Sequence, residues 1–110
     1  MVGSTVDAMA HLFVLDLTYV AGLELVEQHL EEHRAFLAEH YADGTFLASG
    51  RKEPRTGGVI LAQGNRAQIE ALISTDPFVV HGAAVYAVTE FLPTMTGPAF
   101  EPLAEPVLQS

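Results

Sequence analysis

Between Gly22 and Gly44 the apolar residues recur at helical spacing. Projected at about 100° per residue, Val26, Leu30 and Leu37 fall on one side, flanked by Leu23 and Tyr41, with Leu25 and Phe36 at the other margin. Glu24, Glu27, Glu31, Glu32 and Glu39 fall on the opposite side. The pattern predicts one amphipathic helix over 22–44, closed at Asp43-Gly44, where glycine suits the left-handed C′ position. His29, His33 and His40 do not join the glutamates but lie inside the apolar sector. An ionisable ring turned toward a core needs a partner or a pocket.

The rest of the chain divides around this segment. HLFVLDLTY, from His11 to Tyr19, is too short and too rich in β-branched and aromatic residues for a typical helix, and reads as a buried strand. TFLAS (45–49) and VILAQ (59–63) predict two more strands, joined by the glycine- and arginine-containing loop 50–58. Asn65 can cap a second helix, with Gln68 three residues on and Ile69, Leu72 and Ile73 on one face. Pro77 disfavours helical geometry at Asp76 and so ends that helix. Residues 83–91 alternate as a fourth strand, and the prolines beyond Leu92 predict an irregular tail. The order β-α-β-β-α-β with right-handed crossovers implies an α+β, ferredoxin-like fold: one four-stranded antiparallel sheet with two helices on one face. The sheet's other face is too apolar to leave in water, which predicts a homodimer. The expected organisation is an N-terminal extension (1–10), one domain (11–93) and a proline-rich tail (94–110).

Composition removes several function classes. The 110 residues carry 14 acidic against 5 basic side chains, a net charge of −9, whereas nucleic acids and anionic membranes require clustered Lys and Arg. Neither is expected as a partner. Cysteine is absent, which excludes disulfides, thiolate catalysis and thiolate metal sites. The opening residues lack a basic n-region and a long apolar run, and no stretch approaches the ~18 apolar residues of a membrane span. A cytoplasmic protein is the expectation, with Met9 as an alternative start.

Two candidate centres of chemistry remain. His29 and His33 are four apart on one face, a spacing found in zinc sites, but His40 lies about 10 Å further along the axis and no HExxH motif is present. The plainer expectation is partly buried rings bonded to backbone or solvent, and no metal. Asp76 precedes Pro77 and is first of all a turn residue. In the split topology, however, the end of the second helix approaches the first half of the first helix. A carboxylate there can hold a histidine in one tautomer, an acid–base arrangement. Gly57-Gly58 lacks the pattern of a phosphate loop.

HRAFLAEHYADGTFLASG, RTGGVILA and STDPFVVHG, in this order and spacing, resemble the YCII-related (YciI-like) family of dimeric α+β barrel proteins. The resemblance covers His11 to about Pro93. It implies an active site made of His33, in HRAFL, and Asp76, in DPF. Ser49 and Gly50 match the family's turn after the second strand and are candidate substrate-binding groups. Arg55 is a candidate clamp for a carboxylate, against the plainer expectation of a solvated loop charge. His81 departs from relatives, which tend to carry a smaller or a basic residue there.

A His–Asp pair without a nucleophile suits proton transfer: isomerisation, lyase-type elimination or dehydrochlorination of a small ring compound, and the resemblance implies the same. No cofactor signature is present and none is expected. The competing readings are a dimeric small-molecule binding or sensing module without turnover, and a structural partner for another protein.

Overall fold

The structure, a computed structural model, describes residues 11–104. The expected 1–10 extension, Met9 included, and the end of the tail lie outside the described residues. Strand β1 (His11–Tyr19) leads into helices α1 (Leu23–Gln28) and α2 (Leu30–Ala42). Strands β2 (Phe46–Arg51) and β3 (Gly57–Gly64) follow, then α3 (Arg66–Ile73), the single turn α4 (Pro77–Val80) and β4 (Ala84–Phe91). The sheet order is β2-β3-β1-β4 with every neighbouring pair antiparallel. This is the ferredoxin-like arrangement that the element order implies. No helix among the described residues is long and apolar enough to cross a membrane.

The expected single helix over 22–44 is two helices. At His29 (φ −110°, ψ 14°) the backbone N–H bonds back three residues to the Val26 carbonyl, tightening the turn before His33 N–H resumes the four-residue pattern on the His29 carbonyl. The break lets the two helices serve different parts of the core. Val26 of α1 packs with Leu17, Phe78, Ala83 and Ala84. Phe36 of α2 packs with Phe13, Leu15, Phe46, Ile60, Ala62 and Ile69. Each large side chain sealed in these clusters contributes about 1.5–3 kcal/mol of transfer free energy. Leu23 and Tyr41, expected on the apolar face, are exposed at the helix extremities.

Asn65 caps α3 as its sequence implies, its side chain accepting from Gln68 N–H at 2.8 Å. The turn α4 is not foreseen by periodicity. It forms because Asp76 caps it and Pro77 occupies its first position, where the missing N–H costs nothing. The tail is also more regular than expected, with a 3-10 helix over Pro98–Leu103.

Two local features shape the region between α2 and the β2-β3 hairpin. A bulge at Leu47 sets Phe46 opposite Ala62 but Ala48 opposite Leu61, which inverts the alternation beyond it. Ser49, opposite Ile60, and Arg51, opposite Gly58, therefore face the helices rather than the open side. Gly57 meets β1 so closely that a Cβ there would lie 1.8 Å from the Leu17 carbonyl oxygen. On the helix-free face Val59, Val85 and Phe91 are 39%, 52% and 39% exposed, and Asp16 there meets Lys52 Nζ at 2.5 Å.

Because the Leu17 carbonyl cannot move without breaking the β1–β3 ladder, Gly57→Ala should lower the unfolding free energy by about 1–3 kcal/mol, as overpacking does elsewhere. Urea denaturation checks this, and an unchanged midpoint would contradict the close approach.

Candidate active site

Asp76 is the only acidic side chain among the described residues that is wholly buried. An isolated buried carboxylate is costly unless its lone pairs are met, and three donors converge on this one. Its Oδ1 accepts from Phe78 N–H at 2.9 Å, the cap of α4, and from His33 Nδ1 at 2.9 Å. Its Oδ2 accepts from the Tyr86 hydroxyl at 2.5 Å. The Tyr86 phenol is pushed far above its ordinary pKa by burial, then by the charge of Asp76 and the hydrogen bond to it. It therefore keeps its proton and remains a donor.

The same geometry fixes His33. A carboxylate only accepts, so the contact to Asp76 places a proton on Nδ1, and in the neutral ring Nε2 is then the nitrogen with the lone pair. The ring stacks on Phe78, centroids 4.1 Å apart and planes within 10°, with Phe36 on the α2 side at 6.2 Å. Phe78 belongs to one core cluster and Phe36 to the other, so the imidazole stands at the seam between them. It is 9% exposed, enough to reach a surface but not to swing.

That surface is the wall of a cavity of about 240 Å³ between α2 and the β2-β3 hairpin. The cavity brings His33 together with Ser49, Gly50 and Arg55, whereas Asp76 stands behind the ring. Ser49 is held by the Tyr41 hydroxyl at 2.5 Å, and Arg55 lies 3.4 Å from Glu27. Arg34 and Arg51 also line the wall. Three of the chain's five basic residues thus surround one hollow in a protein of net charge −9. The floor is apolar, formed by Leu17, Leu30, Leu37 and Ile60.

His29, expected to bond to backbone or solvent, instead contacts a carboxylate, its Nδ1 lying 2.8 Å from Glu32, while His33 turns to Asp76. His40 contacts Asp43 at 2.9 Å. Sequence reasoning did not single out Tyr86, Phe78, Arg34 or Arg51. Tyr86 shares a face with Ala84 on β4, which marks it as inward-facing; Arg51 is hidden by the bulge, which no local composition announces.

The sequence profile of the YCII-related domain matches residues 11–92, and the chain belongs to that family. No curated protein matches the chain. Among solved structures it is similar to the 5-chloro-2-hydroxyhydroquinone dehydrochlorinase TftG of Burkholderia phenoliruptrix AC1100, in complex with 2,5-dihydroxybenzoquinone. That match has 17% identity and a TM-score of 0.64, covering 73% of this chain and 92% of that one. It also matches SnoaB, a cofactor-independent oxygenase from Streptomyces nogalater, at 14% identity and a TM-score of 0.47 over 82% of this chain and 98% of that one. The likeness to TftG is one of fold.

The phenol makes a signed prediction. An unperturbed tyrosine titrates near pH 10, and in the folded protein Tyr86 holds its proton beyond that. Above about pH 10 the unfolded chain therefore binds fewer protons than the folded one, and stability falls as pH rises. Tyr86→Phe should lessen that alkaline decline relative to wild type in denaturant titrations at pH 8 to 11. An identical decline in both proteins would contradict the buried Tyr86–Asp76 bond.

Proposed function

We propose that the protein is a small-molecule enzyme in which His33 is the general acid/base and Asp76 its orienting partner. The observation that carries this reading is the 2.9 Å contact from His33 Nδ1 to a wholly buried Asp76, behind a ring that lines a cavity. Nε2 is then the atom that takes a proton from substrate carbon or oxygen. Returning that proton at another position is isomerisation, and expelling a leaving group such as chloride is elimination. Neither course needs a nucleophile. Arg34, Arg51 and Arg55 favour an anionic ring compound, a phenolate or a carboxylate, and Ser49 and Gly50 offer it hydrogen bonds. A dehydrochlorinase of a chlorinated hydroxyquinol on the same fold is a precedent for such chemistry.

We also infer a homodimer joined through the helix-free sheet face, which would cover Val59, Val85 and Phe91. Sedimentation should give the mass of two chains or a multiple of it, and a single-chain mass at micromolar concentration would contradict the inference.

Turnover is tested by screening phenolic, lactone and chlorinated hydroxyquinol substrates. With the substrate so found, His33→Ala should lower kcat by about 10²–10⁴-fold, the usual worth of a positioned acid–base group. Asp76→Asn should also be impaired, and the double variant scarcely worse than His33→Ala, since the two groups act as one unit. Full activity in His33→Ala would overturn the proposal. Tight binding of the same compounds without turnover would favour a binding module instead.

A further inference from the structure

A second cluster of ligating side chains lies outside the cavity. His29, at the joint of α1 and α2, Glu32, in the first turn of α2, and His81, at the end of α4, each bring one donor atom within 4.8 Å of the others. Glu32 Oε1 is 2.8 Å from His29 Nδ1 and 3.9 Å from His81 Nε2. Ligands bound to one zinc ion at about 2.0–2.1 Å in tetrahedral geometry stand roughly 3.4 Å from one another, a spacing that these two distances bracket. The imidazoles of His29 and His81 are stacked, centroids 3.8 Å apart and planes within 7°.

We propose that His29, Glu32 and His81 form a binding site for a borderline divalent cation of the zinc type. Two imidazoles and one carboxylate are the donors that such an ion prefers over magnesium or calcium, which take oxygen. The parallel rings must open for both lone pairs to converge on one ion. His81 can do this, since its side chain is 43% exposed, whereas His29, at 13%, is held in place. Solvent supplies the fourth ligand.

The position gives the site a structural consequence. His29 lies one turn before His33, and His81 follows Asp76 across the short α4. An ion held by both would tie the joint of α1 and α2 to α4, the two segments that carry the His33–Asp76 contact. His33 is not one of the three: the cluster is made of His29, Glu32 and His81, while the His33 ring lines the cavity.

The test uses the full-length untagged chain, stripped with chelator, with zinc chloride as the probe and magnesium chloride as the control. Zinc at about a hundredfold above its dissociation constant should raise the Tm by several degrees. Calorimetry should give one ion per chain, and magnesium should do neither. His81→Ala, at an exposed position, should weaken zinc binding at least tenfold, and His29→Ala and Glu32→Gln should do likewise. An unchanged wild-type Tm with no heat of binding would overturn the proposal. So would one-to-one binding that survives in both His81→Ala and His29→Ala. Neither result bears on the reading of the cavity, which needs no ion.

Discussion

The buried carboxylate of Asp76 is the constraint on which the rest of the site depends. It caps α4, anchors Tyr86 of β4 and fixes the ring of His33 on α2, so three separate elements are held by two oxygen atoms. A carboxylate withdrawn from water is tolerated only when its hydrogen bonds are complete. Removing any of the three donors would leave the others holding a less satisfied charge. The cost of burial and the orientation of His33 are therefore one arrangement, and the stack on Phe78 adds an apolar wall that stops the imidazole from turning away.

The cavity owes its character to the hairpin opposite. One extra residue at Leu47 turns Ser49 and Arg51 toward the helices, and the absence of a side chain at Gly57 lets β3 approach β1 beside them. With Arg34 and Arg55 also on the wall, cationic groups gather at one place on an acidic protein. Two of them are paired, Arg34 with Glu31 at 3.7 Å and Arg55 with Glu27 at 3.4 Å, yet the wall still contrasts with the net charge of −9. The proposed substrate class follows from that contrast as much as from the histidine.

Much of this was legible in the chain. Strand β1, the cap at Asn65 and the order of the elements follow from short-range rules, which act over a few residues and leave their mark in composition. His33 shares the apolar face of its segment with His29 and His40, and it was the resemblance of HRAFL and DPF to the family that singled out His33 and Asp76. What was hidden depends on longer range. The break at His29 serves two clusters that no single periodicity contains. The turn α4 is too short to have a period. Tyr86 looks like an ordinary inward strand residue until the carboxylate beside it is known, and the nearness of His81 to His29 arises only when α4 folds back on the joint of α1 and α2.

The central claim is that Asp76 holds His33 as the neutral tautomer protonated on Nδ1, with a bare Nε2 at the cavity. Long-range proton–nitrogen correlation on nitrogen-15-labelled protein, under conditions where the ring is neutral, reads this directly. The account predicts a pyrrole-type Nδ1 and a pyridine-type Nε2 for His33. A proton on Nε2, or two nitrogens averaged between the tautomers, would contradict it.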